Sequence, residues 1–188
     1  MLHRSLVALA LLLALSAAAT AQPVSHVLQN PADHVVLLGE PVPGIARLCS
    51  FVRILPTTPP GDRIPPFEVP PGRLLIVTDV EWEAVGQWNF GPGGMVEFGK
   101  GHTVQLSLEL VDPQSFAALP IMRSRALTVA VHATPVAGSE QLTTGIVVAP
   151  GTRLCAHAEL LATFAHAEVR RDAVLGRIIL RGYLIDAS

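Results

Sequence analysis

The chain has 188 residues, half of them hydrophobic and 15 % charged, and its formal net charge is −2 at pH 7. This length suits one ordinary domain. The basic side chains are dispersed, with no cluster larger than Arg170–Arg171. Nucleic-acid binding requires concentrated positive charge, so we expect no nucleic-acid partner.

Residues 1–21 have the pattern of a secretory signal peptide. A basic start at His3 and Arg4 precedes the uncharged apolar run 6–15, and small side chains follow up to Ala21. We therefore expect cleavage after Ala21 and a secreted or periplasmic protein. No later apolar stretch reaches the roughly 18 residues that a membrane span needs, so we expect no span in the mature chain.

The segment 22–72 is rich in proline. It holds eleven of the chain's 16 prolines, and proline lacks the backbone N–H that a strand ladder requires. We predict an N-terminal arm with one strand, residues 45–55, that joins the main domain. The run 56–71 reads as an extended connection.

From residue 73 onward the hydrophobic period is two. Segment 103–110 alternates apolar and polar side chains, and Gly- and Pro-containing turns separate such runs. In segment 73–82 the predicted apolar face holds Leu74, Ile76, Thr78, Val80 and Trp82, and Asp79, Glu81 and Glu83 share a solvated face. The fold class predicted for 73–188 is all-β, an antiparallel β-sandwich with jelly-roll-like connectivity.

The stretch from residue 152 to 175 supports two interpretations. Its Ala, Leu, Glu and Arg content favours a helix over 158–172. Alternation of side chains and the preceding Pro150–Gly151 favour two strands, 152–167 with a bend and 176–185. We favour the strands and keep the helix as the alternative.

The chain has two cysteines, Cys49 and Cys155. In an exported protein an even pair is read first as a disulfide. It would close a loop of about 100 residues, which the chain-entropy model associates with up to about 4–5 kcal/mol. The alternative is a pair of buried free thiols.

The tetrapeptide Ala-His-Ala-Glu occurs twice and supplies candidate metal ligands. In a strand, His157 and Glu159 share a face, and so do His166 and Glu168. If these strands meet, the four side chains could bind Zn²⁺ and support a metal-dependent enzyme. The alternative is two solvated polar faces. Hydrolase motifs such as H-E-x-x-H and G-x-S-x-G are missing from the sequence, so we assign no catalytic residue and no cofactor.

Trp82 and Trp88 lie on either side of Gly86. Exposed aromatic rings stack on sugars, which suggests a carbohydrate-binding module as an alternative function, with Trp88 as the anchor. Trp82 falls on the apolar face, so the competing interpretation places it in the core.

Three phrases resemble a set of uncharacterised bacterial secreted proteins. They are VPPGRLLIVTDVEW (69–82), VVAPGTRLCAHAE (147–159) and LRGYLID (180–186), which carry a V-P-x-G strand start and a terminal GYL strand. The resemblance implies a single β-sandwich domain and carries over no site residues. The terminal strand Gly182–Ile185 is also similar to the closing strand of C1q and tumour-necrosis-factor jelly rolls, which implies a homo-oligomer, a trimer in those families.

These observations favour an exported, non-catalytic β-sandwich domain with a structural or binding role and an unknown partner. Charged residues are few for a chain of this size. Exposed apolar patches usually mark interfaces, so we expect self-association through an apolar sheet surface.

Overall fold

The computed structural model describes residues 30–40, 47–55, 64–88, 95–96, 98–129, 135–164 and 167–187. The chain divides into two compact units, Met1–Pro31 and Ala32–Ser188, and nearly all the described residues belong to the second. The predicted signal peptide, residues 1–21, lies outside the described residues. Within them, no helix is long and apolar enough to cross a membrane.

The described part of the chain is built almost entirely from strands. A short 3₁₀ turn, Pro31–Asp33, precedes them. The strands are β1 (His34–Gly39), β2 (Arg47–Leu48), β3 (Val52–Arg53), β4 (Arg73–Trp88), β5 (Met95–Val96), β6 (Thr103–Val111), β7 (Ala118–Arg123), β8 (Leu127–Thr128), β9 (Val136–Val148), β10 (Arg153–Phe164) and β11 (Ala167–Asp186).

The strand pairings, all antiparallel, define two layers. The β4 layer has the order β9–β4–β11–β1–β3. In the β10 layer, β10 lies between β2 and β6, and β7 and β8 pair with the other side of β6. β11 joins the layers, because its first residues pair with β10 and its later residues with β1. Long strands alternate between the layers and β1 lies beside β11, as in a jelly roll.

The hydrophobic core lies between the two layers. Val80 and Leu180 of the β4 layer and Leu106 and Leu160 of the β10 layer belong to one buried cluster. Two sheets that bury a shared apolar face form a sandwich. The predicted fold class, an all-β antiparallel β-sandwich of jelly-roll type, is therefore confirmed.

The face of β4 that enters the core changes part-way along the strand. Its register with β9 shifts between Val77 and Asp79. Before the shift, Leu75 and Val77 lie in the core, and after it Val80 and Trp82 do. The prediction of one apolar face along the whole segment is therefore wrong for its first half. A bulge adds a residue and reverses the alternation, which sequence periodicity cannot show.

The Pro-rich segment contributes more structure than predicted. Instead of one strand over 45–55, it supplies β2 and β3 within that range, and β1 before it. β1 lies between β11 and β3 and buries Val35 and Leu37. The single-strand prediction is wrong because the alternating run of β1 buries every second side chain and pairs as a strand despite the prolines around it.

The described residues of 152–175 form strands, not a helix. β10 is paired on both sides, with β6 along one edge and with β11 and β2 along the other. Its inward residues Ala156 and Ala158 are fully buried. Tertiary pairing here overrides the helical propensity of the sequence.

Candidate ligand cavity and its ionic cluster

A cavity of about 680 Å³ opens at the end of the sandwich that carries the β9–β10 turn. Side chains of both layers form its walls, among them Leu37, Leu75, Leu154 and Leu175. Each of these four is less than 9 % exposed. The size and the apolar walls are those of a small-molecule binding site.

The mouth of the cavity is polar. Arg47, Ser50, Glu68 and Arg153 line it beside the apolar walls. A concave apolar space with a few polar groups at its rim both holds a ligand and orients it.

A disulfide between Cys49 and Cys155 fixes one wall of the cavity. The two Cα atoms are 4.1 Å apart and the residues are 106 positions apart in sequence. The bond ties the chain after β2 to β10, where Leu48 pairs with Ala156. Cys49 itself lines the cavity. The predicted disulfide is confirmed, and it holds the mouth of the cavity against the sheet.

A cluster of ionisable side chains lies on the outer face of the β10 layer. Since Ala156 and Ala158 point into the core, His157 and Glu159 point to the opposite face. Across the ladder, Glu109 of β6 pairs with Cys155 and shares that face. We call Arg47, Glu109, His157 and Glu159 the ionic cluster.

The members of the ionic cluster lie within ion-pair distance of one another. Arg47 Nη2 lies 3.0 Å from Glu109 Oε2, and His157 Nε2 lies 3.0 Å from Glu159 Oε1. His157 Nδ1 is 3.8 Å from Glu109 Oε1. Glu109 and His157 are 7 % and 9 % exposed, and buried charge requires such partners.

Arg47 connects the ionic cluster to the cavity. Its side chain is 46 % exposed and pairs with Glu109, and Arg47 is also one of the residues that line the cavity. A guanidinium has five N–H donors in a planar fork, so one carboxylate contact leaves donors for a ligand. Arginine of this kind suits carboxylate, sulfonate or phosphate groups. The cluster thus holds a cation at the mouth of an apolar cavity.

The predicted four-residue metal site lies only partly within the described residues. His157 and Glu159 are together, but Glu168 pairs with Thr163, six residues along β10 from His157. That spacing corresponds to about 20 Å along the strand, and the side chain of Glu168 lies outside the described residues. His166 lies outside the described residues, among which no group of three or more His, Cys, Asp or Glu side chains is placed to hold a metal.

The structure describes the side chain of Trp82 but not that of Trp88. Trp82 is 3 % exposed and belongs to the core, where its ring lies over Gly138 of β9. A sugar-stacking role for Trp82 is therefore wrong, and its placement in the core is confirmed. The side chain of Trp88 lies outside the described part of the chain, so its role as a carbohydrate anchor stays a prediction.

The sequence does not predict that Arg47 and Glu109 form an ion pair. Glu109 falls on the polar side of an alternating strand, which predicts a solvated position. Their positions 47 and 109 are far apart in sequence, and only β10, which pairs with the strands of both, brings them together. A carboxylate opposite a disulfide cysteine carries no sequence signal of its own.

Comparison with known proteins adds little to this geometry. No family model and no curated protein matches the chain. Among solved structures it is similar to one reported as the structure of Eiger TNF from S. frugiperda. The TM-score is 0.43 at 11 % identity, over 83 % of this chain and 96 % of that one. This is a weak similarity to a TNF-like jelly roll, and it carries no argument about function. The resemblance to bacterial secreted proteins gains no support here.

Proposed function

We propose that the protein is an exported, non-catalytic binding domain whose cavity holds a small ligand with an apolar body and an anionic group. The observation that carries this proposal is the cavity of about 680 Å³ between the layers, with buried leucines as its walls. Cavities of this size with apolar walls suit drug-sized ligands.

The charges at the mouth support the ligand class. Arg47 and Arg153 both line the opening. Arg47 is oriented by its contact with Glu109, which reduces the conformational entropy lost when an anion binds. Glu68 at the same rim disfavours a ligand with several negative charges.

The disulfide supports export. Bonds such as Cys49–Cys155 persist in oxidising compartments and are rare in the cytosol. The signal-peptide pattern of residues 1–21 is the second support. A binding role, as opposed to catalysis, is supported by the position of His157 and Glu159, which pair with each other and are not among the residues that line the cavity.

The test uses two fluorescent probes on the purified chain, one anionic and one neutral. We expect anilinonaphthalene sulfonate and neutral N-phenylnaphthylamine each to bind saturably at one site. Arg47→Gln should weaken sulfonate binding about tenfold, the value of one charge-assisted hydrogen bond. Binding of the neutral probe should be unchanged, and this also shows that the variant is folded.

A blocking variant tests the location of the site. Ser50 is exposed at the mouth, so Ser50→Trp should abolish binding of both probes, whereas Thr144→Trp, at an exposed position of β9 that does not line the cavity, should bind as wild type. Absence of saturable binding, or equal binding by Ser50→Trp, would refute the proposal.

A further inference from the structure

The outer face of the β4 layer carries an apolar corner. Antiparallel pairs place neighbouring side chains on the same face: Leu74 with Ile185, Ile76 with Tyr183, and Ile76 with Val147. These residues point away from the core because the bulge after Val77 reverses the faces of β4. We call Leu74, Ile76, Val147, Tyr183 and Ile185 the apolar corner.

Two members of the apolar corner are exposed to solvent. Val147 is 50 % and Ile185 is 39 % exposed. Leu74 and Tyr183 are half-buried, and Ile76 is 8 % exposed and lies outside the core cluster. Contiguous apolar surface of this kind usually marks an interface.

Two rows of opposite charge continue from the apolar corner along the same face. β4 carries the acidic row Asp79, Glu81 and Glu83, and the neighbouring β11 carries Arg177 and Arg181. Arg181 Nη1 is 2.6 Å from Glu81 Oε1, and Arg177 Nη2 is 3.9 Å from Glu83 Oε2. The hydrogen bond from Arg181 holds the pKa of Glu81 below its ordinary value. The two rows therefore lie side by side, with Arg181 paired to Glu81.

We infer that a second copy of this chain covers this face, related by a two-fold axis that runs along the strands between β4 and β11. That rotation exchanges the two strands. Each acidic row then faces the partner's arginine row, and Ile76 faces Tyr183 of the partner subunit. The alternative two-fold axis lies in the plane of the sheet and runs across the strands. It would place the acidic row of one copy on the acidic row of the other, and the repulsion between like charges disfavours that arrangement.

The area of the face is sufficient for a stable dimer. The four strands β9, β4, β11 and β1 lie side by side. At about 4.8 Å between strands and about 3.3 Å per residue, about a dozen residues in each of the three longer strands and the six residues of β1 present roughly 670 Å², within the range of about 600–1,000 Å² per partner. Stable complexes bury about 800 Å² per partner, and aligned sheets pack face to face in this way.

The decisive experiment swaps charges between the rows. Light scattering coupled to size exclusion, over a concentration series, should show a wild-type dimer. In the dimer, position 83 of each copy faces position 177 of the other. Glu83→Arg or Arg177→Glu alone therefore creates two pairs of like charge, and each variant should dimerise at least about tenfold more weakly than wild type. A one-to-one mixture of the two variants should dimerise again, because every facing pair is then of opposite charge.

Controls separate assembly from folding. The double variant E83R/R177E keeps its intrachain pair and should dimerise with itself. Val147→Asp, in the apolar corner, should give monomers, whereas Leu119→Asp, at a 64 % exposed site of β7 in the other layer, should not. A monomeric or trimeric wild type, or single charge variants that dimerise as well as wild type, would overturn the inference.

Discussion

Replacement of Gly182, in β11, should strongly destabilise the fold. A Cβ built there would overlap the carbonyl oxygen of Ile76 and would lie 3.0 Å from Cα of Val77. The obstacle is backbone at the β4 bulge, which no rotamer change relieves. Gly182→Ala therefore forces β4 and β11 apart by more than about 1 Å. We expect the free energy of unfolding to fall by about 3 kcal/mol, near the upper end of the range for overpacking substitutions.

Thermal unfolding followed by far-ultraviolet circular dichroism measures this cost with the disulfide intact. For a domain of this size about 3 kcal/mol lowers the Tm by roughly 6–12 °C. The matched control is Gly72→Ala, where φ is +74° and no atom lies within 4 Å of the added carbon. Gly72→Ala should lower the free energy of unfolding by about 1 kcal/mol, because its only penalty is the left-handed backbone conformation. If Gly182→Ala unfolds at or above the temperature of the control, the close approach at the bulge is refuted.

Three further changes test other contacts. Replacing both Cys49 and Cys155 with Ser removes a cross-link over 106 residues and should lower the unfolding free energy by about 4 kcal/mol in urea titrations; an unchanged midpoint would contradict this. Gly138→Ala places a carbon 2.7 Å from the ring of Trp82 and should lower the unfolding free energy by about 2 kcal/mol. An unchanged unfolding free energy would show that the ring can move away. Asp112 accepts hydrogen bonds within the β6–β7 turn that lower its pKa below the ordinary 3.8. Its stabilisation is present above that value and is lost as pH falls through the lowered pKa, so Asp112→Asn should destabilise at neutral pH and match wild type in strong acid; an equal deficit at both pH values would exclude the mechanism.

Several features of the fold could be predicted because they depend on neighbouring residues. Alternation along Thr103–Val111 indicates a strand with one buried face, and the structure has β6 there. The position of Trp82 on an apolar face predicted its burial, which is confirmed. Two cysteines in a chain with a signal-peptide pattern predicted the disulfide, and Cys49 and Cys155 are bonded.

The candidate site was less accessible to such reasoning. The cavity is enclosed by side chains of both layers, and Arg47 finds Glu109 through pairing with a third strand, β10. The repeated Ala-His-Ala-Glu suggested that Glu168 and His157 meet, but the β10–β11 register separates them. Sequence spacing does not contain the register that decides such distances.

By itself the sequence determined the local properties of this protein: its strand-forming periods, its turns, its lack of a basic surface and its pair of cysteines. The strand periods and the turns depend on interactions over two to four residues, and the other two properties depend on composition alone. The tertiary structure alone decided which face of β4 enters the core, that β1 lies beside β11, and where the cavity opens. Such outcomes depend on contacts between residues far apart in sequence, such as Arg73 and Asp186 of the neighbouring strands β4 and β11, which form only when the sheet assembles.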